Sequence, residues 1–167
     1  MGIIAFSEGC GLLLDVSENN IDGPQRQVQF LKMAEHKIGS SVKSSGASYP
    51  RQYYYWGNVY YELALRSGEE RAKYLDYALD KYQTITSARV FTRGDPFVPK
   101  ILFQEALVAC AKQDWKRATK RFKRSAKLAN STVGLKDRLK SLLLHAGQRQ
   151  AASIMNILYE AGAKLEI

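Results

Sequence analysis

Residues 53–64 read YYYWGNVYYELA, six aromatic rings and one glycine in twelve positions. Two readings compete for such a stretch: a cage in which a ligand stacks, or the inside of a helix pressed against another. At 100° per residue, Tyr53, Trp56, Tyr60 and Leu63 share one helix face with Gly57 beside them, while Tyr54, Asn58, Tyr61 and Glu62 lie toward another. Aromatic stripes at helical spacing are ordinarily core. The first set is therefore expected to pack, and the second to face a groove or a neighbouring pair of helices.

Outward from this stretch the same period continues. Apolar residues recur at steps of three and four almost everywhere, and the one strand-like run, SARVFTR at 87–93, is short and meets Asp95-Pro96. The spacing predicts an all-α chain. Breakers at 19–24, 44–50, 66–68, 93–99, 112–114, 130–132 and 146–148 leave room for about eight helices. After Asp22-Gly23, Pro24 is placed to open a helix whose stripe is Val28, Leu31, Ala34, Ile38 and Val42. Helices over 50–66 and 69–86 are divided by Ser67-Gly68, and helices over 98–112 and 114–129 by Gln113-Asp114, with Asp114 set to cap the second. A last pair is predicted over 133–146 and 148–163, turning at Gly147.

Consecutive hairpins invite a search for a repeat. The second helices align as Ala78-x-x-x-Tyr82, Ala118-x-x-x-Phe122 and Ala151-x-x-x-Met155. In the first helices, Tyr53, Trp56, Gly57 and Tyr60 stand in the spacing W-x-x-L-G-x-x-Y, matched in the next pair by Leu102, Glu105, Ala106 and Ala109. This pattern resembles the tetratricopeptide repeat. The resemblance implies a right-handed stack of antiparallel helical hairpins forming one domain over 1–167: an N-terminal hairpin without the signature over 1–44, then repeats over 50–88, 97–130 and 132–163, the third degenerate. Glu105 departs from the family, which has Leu there, and Gly57 to Ala78 is nine residues longer than Ala106 to Ala118. A hairpin array of the fourteen-three-three or vesicle-attachment-protein type is the alternative.

By the same resemblance, Arg51, Tyr54, Asn58 and Tyr61 on one first helix, and Lys100, Phe103, Gln104 and Leu107 on the next, would line a concave groove that grips a partner segment. Members that clamp the carboxyl tails of heat-shock chaperones use a Lys and an Asn on the first groove helix. Asn58 fits, but Tyr54 replaces the Lys, so an apolar peptide or helix is the better match.

Charge suggests a second surface. The net charge of +9 lies entirely in residues 91–167, an asymmetry that favours an acidic partner. Its centre is KQDWKRATKRFKRSAK, residues 112–127, where Lys112, Lys116, Lys120, Lys123, Arg124 and Lys127 span one side of a helix, Arg117 adjoins them, and Trp115, Ala118, Phe122 and Ser125 occupy the opposite side. Rings and cations do not share a face, which disfavours base stacking and permits phosphate contact. A nucleic-acid-binding helical repeat using this stripe with Lys136, Arg138 and Lys140 is therefore the alternative function.

Chemistry finds little footing. Cys10 and Cys110 are a hundred positions apart, and His36 and His145 stand singly, so no metal site, cofactor or disulfide framework is predicted. This cysteine usage suits an intracellular, cytoplasmic protein. The longest apolar runs are too short to span a membrane, and Phe6 stands where a myristoylation motif needs Ser or Thr. Ser40-Ser41-Val42-Lys43 matches S-x-x-K without its companion motifs, and RGD at 93–95 precedes Pro96 in an interhelix loop. The expectation is a non-enzymatic protein-interaction scaffold, with self-association through the apolar start Gly2–Val16 also open.

Overall fold

The computed structural model describes residues 2–46, 49–88 and 94–129, and all regular structure among them is helical. The predicted helices over 133–146 and 148–163, most of the strand-like run at 87–93, and Lys136, Arg138 and Lys140 lie outside the described residues. Six helices appear: α1 (Gly2–Ser17), α2 (Pro24–Ser45), α3 (Pro50–Arg66), α4 (Arg71–Thr86), α5 (Phe97–Ala111) and α6 (Trp115–Ala129). They pack as adjacent pairs, α1 on α2, α3 on α4 and α5 on α6, with α3 also against α2. The first four belong to one compact unit, Met1–Arg93, and the last two to a second, Gly94–Ile167.

The breakers act as chain chemistry requires. Pro24 and Pro50 each open a helix, where the missing N–H is no loss. Gly46, at φ 63°, closes α2 in the left-handed conformation. Helix α5 ends without glycine: Gln113 takes φ 59°, its N–H donates to the Cys110 carbonyl, and the Asp114 N–H donates to the Ala109 carbonyl. Asn19 closes α1 in the same way, at φ 57°. Asp114 then begins α6, its Oδ1 accepting from the Arg117 N–H at 3.1 Å as the sequence predicts.

Each hairpin is closed by one device. On the second helices, Ala34 and Ile38, Ala78 and Tyr82, and Ala118 and Phe122 are all 0 or 1% exposed. On the first helices Gly9, Gly57 and Ala106 are all buried, and Gly9 and Gly57 lie against Ile38 and Tyr82. A Cβ on Gly57 would lie 2.2 Å from the Tyr82 ring, and one on Gly9 2.6 Å from Ile38 Cγ1. Small residues thus let the backbones approach while the bulky residue fills the space beside them. The N-terminal pair, expected to lack the signature, carries the Ala-x-x-x-bulky half of it as Ala34-x-x-x-Ile38.

The nine extra residues between Gly57 and Ala78 are mostly helix. Relative to the α5–α6 pair, α3 runs four residues further past its small residue, α4 starts four residues earlier, and the turn gains one.

Candidate interaction surfaces

On α3, the aromatic faces divide differently from a single-stripe reading. Trp56 and Leu63 are buried as expected, but Tyr54 is also buried at 1% exposure, whereas Tyr53 and Tyr60 are half-buried. Helix α3 touches α1 as well as α2 and α4: Phe6 meets Tyr55 edge-on at 5.9 Å, and the Arg51 guanidinium lies 5.6 Å from the Phe6 ring centroid. A helix with neighbours on several sides has no single inner face.

Of the groove residues expected on α3, Arg51 is exposed, Asn58 and Tyr61 are half-buried, and Tyr54 is packed away. Asn58 holds the close crossing, because its Oδ1 accepts from the Tyr82 hydroxyl at 2.6 Å. On α5, Phe103 and Leu107 are 5% and 9% exposed, and Phe103 packs on Phe122 with ring centroids 5.1 Å apart. Lys100 and Gln104 are half-buried; the Gln104 Oε1 is buried with no hydrogen-bond partner among the described residues. The structure therefore corrects the expectation that Tyr54, Phe103 and Leu107 present their side chains, since ten of the fifteen residues of α5 are buried. Arg51, Asn58, Tyr61, Lys100 and Gln104 retain accessible surface.

Two interhelix contacts have no sequence signature. The Tyr60 hydroxyl donates to Glu35 Oε1 at 2.7 Å, joining α3 to α2. Burial, then this bond and the carboxylate charge, push the phenol well above its usual range. Tyr74 and Tyr77 of α4 pack around Tyr60, at 6.3 and 5.3 Å between centroids. In the second unit Glu105, the residue that departs from the family pattern, is 1% exposed and paired with Arg121 at 2.7 Å. A carboxylate buried this deeply persists where a cation meets it. Arg121 was not part of the predicted basic stripe, and it turns inward while its neighbours face out.

The stripe itself is exposed: Lys112, Lys116, Lys120, Lys123, Arg124 and Lys127 face solvent and Arg117 is half-buried. On the opposite side Ala118, Phe122 and Ser125 are at most 2% exposed, and the Ser125 hydroxyl donates to the Pro99 carbonyl of α5 at 2.7 Å.

Neither cysteine suits nucleophilic work. Burial pushes Cys110 up to about 11, and Cys10 also up to about 11 despite the opposing charge of Arg51. Among the described residues no three His, Cys, Asp or Glu side chains group as a metal site, and no helix is long and apolar enough to cross a membrane. No protein-family model matches the chain, and neither a curated protein nor a solved structure is significantly similar to it.

Proposed function

We propose that the chain is a non-enzymatic interaction scaffold, a tetratricopeptide-like right-handed stack of about eight helices whose first helices hold a segment of a partner protein. One observation supports this reading most: three successive hairpins bury residues at equivalent sequence positions, Gly9 with Ala34 and Ile38, Gly57 with Ala78 and Tyr82, and Ala106 with Ala118 and Phe122. In repeat proteins, hairpins of one kind present successive first helices to a partner. Arg51, Asn58 and Tyr61 on α3, and Lys100 and Gln104 on α5, are the contacts left accessible on those helices.

The test is selection of a peptide from a display library on the purified chain, followed by cross-linking and affinity measurements. Cross-links should fall on α3 and α5. Arg51→Ala with Tyr61→Ala, and Lys100→Ala with Gln104→Ala, should each weaken binding at least about tenfold while circular dichroism shows both variants still folded. A peptide that cross-links elsewhere and is indifferent to both pairs contradicts the reading.

A further inference from the structure

We infer that the outer face of α6, carrying Lys116, Arg117, Lys120, Lys123, Arg124 and Lys127, docks the phosphate backbone of a double-stranded nucleic acid, through charge and without reading bases. This surface is independent of the peptide-holding role proposed above, so either can fail alone.

The six cations have no ion-pair partner among the described residues, and α6 contains no acidic residue. The three carboxylates of residues 94–129 are engaged elsewhere. Asp95 Oδ1 accepts from the Phe97 N–H at 2.8 Å, Asp114 Oδ1 accepts from the Arg117 N–H at 3.1 Å, and Glu105 is buried against Arg121. Like charges four apart, as in Lys116, Lys120 and Arg124, or Lys123 and Lys127, disfavour the helix that carries them. A polyanion laid along the face would remove that repulsion.

Several occupants fit less well. An amphipathic helix enters a bilayer interface by its apolar side, and here that side is closed against α5 through Phe122 and Ser125. Single strands are held by rings on which bases stack, and none of the six positions is aromatic. A duplex needs neither. From Lys116 to Lys127 the helix rises about 17 Å, a length over which a duplex presents about ten phosphate charges. Four of the six cations are lysines, solvated point charges that suit phosphate contacts without demanding the bidentate geometry of an arginine–carboxylate pair.

The experiment titrates the full chain against labelled 20-base-pair RNA and DNA duplexes, each in two unrelated sequences, from about 50 to 200 mM salt. Binding to either duplex should be sequence-independent within about threefold. It should weaken about a thousandfold across that range, with a log–log slope near −5, as for about six phosphates. The triple change Lys116→Glu, Lys120→Glu and Lys123→Glu should lower affinity at least about a hundredfold. Lys32→Glu, Lys43→Glu and Arg71→Glu, which remove the same charge from exposed positions of the first unit, should lower it less than about fivefold. Circular dichroism checks that both triples remain helical. The inference is overturned by absence of binding at the low salt, by equal losses in the two triples, or by tighter binding to single strands, polyglutamate or anionic vesicles.

Discussion

Five cations of the first unit and those of α6 differ in what they touch. In the first unit Lys37 pairs with Glu8, Arg66 with Glu62 and Gln27, and Lys73 with Glu70, while Lys81 reaches Asp80 and lies 4.2 Å from the Trp56 ring centroid. Arg51 covers the Phe6 ring. These basic groups tie helices together or shield rings. On α6 Arg121 is used in that way, and among the described residues the other cations meet no carboxylate, leaving a row of positive charge on a helix whose inner side is buried. One hairpin device thus carries two unlike surfaces. A shared closure fixes how helices cross and leaves the outer residues open to a separate requirement.

The sharpest way to break the comparison is at the shared closure. Gly57→Ala places a methyl inside the Tyr82 ring contact, where the Asn58 bond restrains the ring, and should destabilise the first unit by about 3 kcal/mol in denaturant unfolding. Gly11→Ala lies where a Cβ meets nothing within 4 Å. It should be neutral or stabilise by up to about 1 kcal/mol through helix propensity. If the two behave alike, the close crossing is not what holds the hairpin.

In the second unit the counterpart is the buried ion pair. Arg121→Ala takes the guanidinium away from buried Glu105 and should cost about 3 kcal/mol, whereas Glu105→Leu with Arg121→Met should fall near wild type or above it. A double variant as unstable as the single would mean that the pair contributes more than mutual neutralisation. That pair also sets Arg121, which turns inward, apart from the exposed stripe.

A smaller effect concerns the thiols, one in each unit. Because burial favours the neutral form, Cys10 and Cys110 should react with a thiol reagent far more slowly in the native chain than in the denatured chain at pH 8, and gain reactivity only toward pH 11. The sign follows for stability: unfolded thiols ionise near 9 while the folded ones remain protonated, so stability should decline between about pH 9 and 11. Fast modification of either native thiol at pH 8 contradicts the burial assigned to its unit.

Much of this architecture is visible in the chain. Pro24, Pro50, Ser67-Gly68 and Gln113-Asp114 mark helix limits because each acts on its own backbone, and the Ala-x-x-x-bulky spacing marks inner faces because helical period is local. What depends on a second element is not visible. Tyr54 reads as groove-facing until α3 is seen to touch three helices, and Glu105 reads as a departure until Arg121 is found opposite it. Ile38 lacks the ring that made Tyr82 and Phe122 conspicuous, so the Ala-x-x-x-bulky spacing of the first hairpin is easily passed over. Of the proposed groove, Arg51, Asn58, Tyr61, Lys100 and Gln104 keep accessible surface; the basic stripe is exposed where the wheel puts it.

Two triple variants, compared for unfolding midpoint and duplex affinity, test the contrast most directly. Lys37→Gln, Arg66→Gln and Lys81→Gln should lower stability by about 1–3 kcal/mol, from several weak pairs and one cation on a ring, and leave affinity nearly unchanged. Lys116→Gln, Lys120→Gln and Lys123→Gln should leave the midpoint unchanged or slightly raised and remove most duplex binding. If instead the α6 triple unfolds as readily as the first set while binding persists, the cations of α6 are structural and the contrast between the two units fails.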